Sequence, residues 1–223
     1  MESASDSAKA RSKERTVYCE DALDWLRTRG QLEGCSLITS LPDVSEVPAG
    51  GLERWKVWFL HAARLVLESC PPEGVTIFYQ TDVKVEGTWV DKGFLCQKAA
   101  ECTGSALLWH KIVCRSPAGS VTFGRPAYSH MLCFSKGQRA DPARSTPDVL
   151  PDRGAVTWAR GMGLLACRSA CRYVLEHTPT RTVVDPFCGQ GLVLAVANEM
   201  GLDAVGVELS RKRARQARLQ QLI

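Results

Sequence analysis

Val183-Val184-Asp185-Pro186-Phe187-Cys188-Gly189-Gln190-Gly191 is the stretch that decides the fold. Two β-branched residues run into Asp-Pro, two glycines follow, and the apolar residues from Leu192 onward continue at helical spacing. This reads as strand, tight loop, helix. Gly189 and Gly191 let the backbone turn sharply and let a ligand approach the main chain. The helix start offers unpaired N–H groups. One helix later comes a second apolar strand, Ala204-Val205-Gly206-Val207, with Glu208 at its end. A carboxylate in that place can accept both hydroxyls of a ribose. A dinucleotide loop would carry a third glycine at 194, where this chain has Leu194. A nucleotide-like cofactor without a diphosphate is the reading that fits.

Working outward, strand and helix signals alternate through most of the chain. A short strand at 16–19 precedes a helix at 22–28, and an apolar strand at 35–39 ends in Ser40-Leu41-Pro42-Asp43. A helix at 52–68 carries Trp55, Trp58 and Phe59 at core spacing, then come a strand at 75–79 and a helix at 91–100. Two β-rich runs, 106–114 and 127–134, have no helix between them and predict an antiparallel pair at a sheet edge. The polar, proline-rich stretch 136–153 predicts a surface loop. A helix at 162–176, the strand at 182–185, a helix at 192–200, the strand at 204–207 and a helix at 210–221 complete the chain. Near-continuous apolar strands separated by helices predict a mostly parallel sheet covered on both faces. Ligands in such sheets bind beyond the carboxyl ends of the strands. Attention therefore falls on residues from Asp185 and from Ser40.

Composition bounds the possibilities. The chain has 223 residues, enough for one substantial core. We expect a single domain over 16–223 after a disordered lead of residues 1–15. That lead has no apolar core of a secretory signal, and no run approaches a membrane span. An intracellular protein, cytoplasmic or nuclear and not secreted, is expected. The ten cysteines form no Cys-x-x-Cys pair and read as free thiols, with no metal site expected. The net charge of +4 lies wholly in residues 151–223. Half of the ten basic residues there are Arg211, Lys212, Arg213, Arg215 and Arg218. This cluster is either a solvated helix face or a contact for nucleic-acid phosphates.

The loop and the acid that follows it resemble the S-adenosylmethionine (SAM)-dependent methyltransferases, in particular the circularly permuted amino-methyltransferases that modify exocyclic amines of nucleic-acid bases. Their cofactor loop commonly reads Asp-Pro-Phe-x-Gly-x-Gly, with Gly-x-Glu one helix later. The resemblance implies an α/β, Rossmann-like fold with a seven-stranded mixed sheet and permuted motif order. It implies SAM as cofactor, its amino-acid part carried by the loop (Asp185, Pro186, Phe187, Gly189, Gly191) and its ribose by Glu208. Further cofactor contacts are implied for Asp21 after the first strand, for Thr39 and Ser40 at the end of the 35–39 strand, and for Gly161 and Met162 before the 162–176 helix.

The family usually carries Asp/Asn/Ser-Pro-Pro-aromatic at the catalytic strand end. The aligned residues are Ser40, Leu41, Pro42 and Asp43, the implied catalytic set. An exocyclic amine is a weak nucleophile because its lone pair is delocalised into the ring. Ser40 and the Leu41 carbonyl could accept its hydrogens and localise that pair, while Asp43 could accept as well or act as a base. A carboxylate cannot stack on a base. A cysteine-based attack on a ring carbon is disfavoured, because no Pro-Cys pair occurs. The expected substrate is a base nitrogen in nucleic acid, RNA favoured over DNA. The alternatives are a SAM-binding partner subunit without catalysis and a methyltransferase for a protein or small molecule.

Overall fold

The computed structural model describes residues 13–222. Residues 1–12, most of the expected lead, lie outside them; the chain is already in a strand at Arg15. In chain order the elements are β1 (Arg15–Tyr18), α1 (Ala22–Arg29), β2 (Cys35–Thr39), α2 (Leu52–Ser69), β3 (Thr76–Gln80), β4 (Val83–Val85), β5 (Thr88–Val90) and α3 (Lys92–Glu101). There follow β6 (Ala106–Cys114), β7 (Tyr128–Ser135), β8 (Val149–Leu150), α4 (Leu164–His177), β9 (Thr182–Asp185), α5 (Leu192–Glu199), β10 (Asp203–Val207) and α6 (Arg211–Leu219).

Among the described residues the main sheet has eight strands in the order β1-β10-β9-β2-β3-β7-β6-β8. β1, β10, β9, β2 and β3 are parallel, and β7 turns antiparallel to β3. The sequence predicts seven strands. The eighth is β8, which pairs with Ile112 and Val113 of β6 at the sheet edge. Two residues inside a polar loop are too few to show any periodicity, so the pairing comes from the edge already in place. The β4–β5 hairpin turns at Glu86 and Gly87, both with positive φ. That is the geometry two-residue hairpins favour.

The two faces of the sheet are filled by different helices. α4 and α5 pack on one face, with Leu194, Val196, Cys167 and Ala170 fully buried. α2 and α3 pack on the other, with Trp55, Phe59, Val66 and Cys96 fully buried. Neighbouring strands β9 and β2 lead away in opposite directions, β9 through α5 to β10 and β2 through α2 to β3. Their carboxyl ends therefore open a crevice between diverging connections, the place where α/β sheets bind ligands. No helix among the described residues is long and apolar enough to cross a membrane.

Candidate active site

A cleft of about 450 Å³ lies in that crevice. Its walls include Asp21, Ser40, Leu41, Pro42, Gly161, Met162, Asp185, Pro186, Phe187, Gly189 and Glu208. Residues far apart in sequence and predicted separately thus meet around one cavity. Thr39, Asp43 and Gly191 do not line it. Trp58, Trp158 and Arg213 do. Trp58, read from spacing as core, instead packs edge-on against Phe187 at the cleft wall, with ring centroids 6.2 Å apart.

Thr39 and Asp185 tie the two strand ends together. The Thr39 hydroxyl donates to Asp185 Oδ1 over 2.7 Å, and the Phe187 N–H donates to the same oxygen over 3.1 Å. Burial pushes the Asp185 carboxyl up to about 7, against those two hydrogen bonds, and Glu208 adds to the rise. A buried acid on a cavity wall with so high a value is suited to a cationic ligand, which would favour its ionised form. Glu208 is buried, and its Oε1 accepts the Ser210 N–H over 2.8 Å. Asp21 caps α1, accepting from the N–H groups of Leu23 and Asp24. Cys188 also lines the cleft, but burial pushes its thiol far up, which suppresses the reactive thiolate.

The glycines divide by role. Gly189 has φ of +54°, and a Cβ there would meet nothing nearer than Trp158 at 3.8 Å, so its backbone faces open space beside the cleft. Gly191 has φ of +81°, and a Cβ would lie 2.8 Å from the Cα of Ala217. It serves the close packing of α6 over the loop rather than ligand access. Leu194, in the place of a dinucleotide loop's third glycine, is fully buried, and its Cδ1 would lie 2.5 Å from a Cβ on Gly206.

At the end of β2, Ser40, Leu41 and Pro42 face the cleft and Asp43 turns away from it. The Asp43 carboxylate is buried and pairs with both the buried Lys92 ammonium and the Arg125 guanidinium. Burial opposes its ionisation, but the two cations outweigh burial and hold it below the usual carboxylate range. Burial lowers Lys92 in turn, and Asp43 resists that. The sequence places Lys92 in a polar, aromatic stretch, 79–92, at the rim of the site but does not show its pairing with Asp43, and it does not mark Arg125 at all. Arg125 is 82 positions from Asp43, and no local pattern marks it. Beyond Lys92, Asp82 accepts from the Lys92 backbone N–H and the Trp89 indole, and bonds His130, which bonds His110. Asp82, Asp91 and His130 lie within 4.8 Å of one another. Asp82 and Asp91 are already engaged as acceptors, Asp91 capping α3 through Phe94 N–H.

The basic cluster on α6 is divided. Arg218 donates to the Val17 carbonyl, and Arg213 sits near Glu208 and over the Trp158 ring. Arg211, Lys212 and Arg215 are exposed.

No family model matches the sequence, and no curated protein sequence matches it. Solved structures do. A protein designated a DNA modification methylase from Thermus thermophilus, crystallised with S-adenosyl-L-methionine, superposes with a TM-score of 0.69 at 19% identity over 92% of each chain. PvuII DNA methyltransferase, cytosine-N4-specific, gives 0.71 at 16% identity over 95% of this chain and 88% of that one. The M1.HpyAVI–SAM complex gives 0.61 at 12% identity over 92% and 98%. The chain thus has the α/β, Rossmann-like fold of SAM-dependent DNA methylases, built on a mostly parallel mixed sheet.

Proposed function

We propose that this protein is a SAM-dependent methyltransferase acting on a nitrogen of a nucleic-acid base. The observation that carries the reading is the convergence of Ser40, Asp185, Gly189 and Glu208 on one cleft at the switch between β9 and β2. The residues present fit the cofactor. Asp185 is a buried carboxyl raised to about 7 and suited to a cation, Glu208 can accept ribose hydroxyls, and Leu41, Met162 and Phe187 supply apolar wall. SAM is cationic, and when bound it supplies an activated methyl group.

The protein's own part is to orient an acceptor amine. The Ser40 hydroxyl and the Leu41 carbonyl can hold the amine's hydrogens and localise the nitrogen lone pair toward the cofactor. Asp43 is committed to Lys92 and Arg125, so the base role considered for it loses support. The proton released by the product leaves to solvent through the open cleft.

Two of the similar structures, the Thermus thermophilus protein and PvuII DNA methyltransferase, are DNA methylases by name, which shifts the balance from RNA, favoured on sequence grounds, toward DNA. The test is calorimetric titration with SAM, followed by transfer of labelled methyl to matched DNA and RNA pools and nucleoside mass spectrometry. Micromolar SAM binding with label in one N-methylated base is the expected result. SAM binding with no label in either pool would instead support a partner subunit without catalysis.

A further inference from the structure

Trp89, Phe94 and Phe123 are the exposed phenylalanine and tryptophan side chains among the described residues, at 44%, 58% and 91% exposure. They sit on three separate segments: β5, the first turn of α3, and the connection 115–127 between β6 and β7. All three segments emerge at the edge where the catalytic strand ends. β4, β5 and α3 follow the carboxyl end of β3. β6 runs in the direction of β3, because β7 is antiparallel to both.

Buried charge joins these segments. The Trp89 indole donates to Asp82 over 3.0 Å, the Lys92 N–H donates to Asp82 over 2.8 Å, and the Lys92 ammonium and Arg125 guanidinium both hold Asp43. Phe123 is two residues from Arg125, at most about 7 Å along the chain. The 115–127 connection is pinned at its base by N–H groups of Arg115 and Ser116 on the Ala127 carbonyl, and near its tip by Arg125 N–H on Phe123. Val121 beside Phe123 is 84% exposed. A single exposed ring is ordinary. Trp89 bonds the charged junction directly, Phe94 and Phe123 lie two residues along the chain from its Lys92 and Arg125, and Lys84 lies over the Trp89 ring at 5.1 Å. Exposed rings grouped in this way are what stacking of unpaired bases requires.

We propose that Asp43, in the place where the family motif carries an aromatic residue, organises a base-stacking rim of Trp89, Phe94 and Phe123 for single-stranded or locally opened nucleic acid. This rests on the reading of the cleft as a base methyltransferase. Stacking replaces the missing ring from outside the motif, and the near-neutral charge of residues 1–150 makes stacking rather than phosphate contact the main source of affinity.

The experiment uses the full chain with SAM and single-stranded DNA and RNA oligonucleotides of one sequence containing 2-aminopurine. Binding with fluorescence quenching is expected for the unsubstituted protein. Phe123→Ala and Trp89→Ala should each weaken binding about tenfold and reduce quenching, Phe123→Trp should restore both, and SAM affinity should stay unchanged. Phe123 is 91% exposed, so its alanine variant tests the ring without disturbing the fold. Trp89→Ala also removes a donor from buried Asp82, and Trp89→Phe, which loses that bond but keeps a ring, should retain binding and quenching. Alanine variants that bind and quench like the unsubstituted protein would overturn the rim while leaving the base-methyltransferase reading intact. SAM binding without affinity for either strand in the unsubstituted protein would overturn the rim, and the methyltransferase reading would fall with it only if no label entered the DNA and RNA pools.

Discussion

On the proposed function the cleft has a cofactor side and a substrate side, and the two are built by opposite means. The first is local: the loop after β9, α5 and the end of β10, with Glu208 following it, span residues 185 to 208, and they shape the cleft with backbone geometry and two buried acids, Asp185 and Glu208. The substrate side is assembled from β2, β3, α3 and the β6–β7 connection, and buried ion pairs join them. A local site is readable as a motif. A site held by side chains from distant segments is not, because the partners of a residue such as Asp43 come from elsewhere in the chain.

The comparison can be broken most forcefully at Asp43. Asp43→Leu leaves the buried Lys92 without its counter-charge and should cost about 3–5 kcal/mol of stability in urea unfolding. Asp43→Leu with Lys92→Met should recover most of that. A loss below about 1 kcal/mol for the single variant would mean the network does not hold the substrate side together.

On the cofactor side, Gly191→Ala forces a Cβ into the Ala217 backbone at positive φ and should cost about 1–3 kcal/mol by thermal unfolding. Gly189→Ala, beside open space, should cost less stability and weaken SAM binding more.

The raised Asp185 gives a pH test. Its folded value of about 7 lies above that of an unfolded aspartate, so the protonated form favours the fold. Its contribution to the stability of the ligand-free protein is fully present below about pH 4 and is lost as pH rises to about 7. A cationic ligand prefers the ionised form, so SAM affinity should rise roughly tenfold between pH 6 and 8. Asp185→Asn should flatten that profile in titrations at both pH values.

The smallest effect is expected on α6. Serine at Arg211, Lys212 and Arg215 should change stability by less than about 0.5 kcal/mol. If this face touches phosphates, the salt dependence of strand binding should fall by about one unit of slope for each phosphate that is no longer neutralised. An unchanged slope would make it a solvated helix face.

How much of this was legible in sequence follows from range. Strand-loop-helix order, the two glycines, Glu208 and the absent third glycine are local patterns; Gly189 and Glu208 line the cleft, while Gly191 packs against α6 and Leu194 is buried behind the loop. The two-residue β8, the Trp58–Phe187 contact and the hairpin at Glu86–Gly87 depend on neighbours supplied by the fold. The α6 cluster shows the same limit. Five basic residues look alike in sequence, but only packing sends Arg218 to the Val17 carbonyl and Arg213 to the cleft.

The sequence by itself determined the sheet's parallel body and the tight glycine loop between β9 and α5, because apolar periodicity and glycine conformation act over a few residues. Only the tertiary structure decided the meaning of Asp43. A carboxylate at a strand end reads as a base until Lys92 and Arg125 are seen to neutralise it, and a charge pair formed across 82 positions leaves no trace in local spacing.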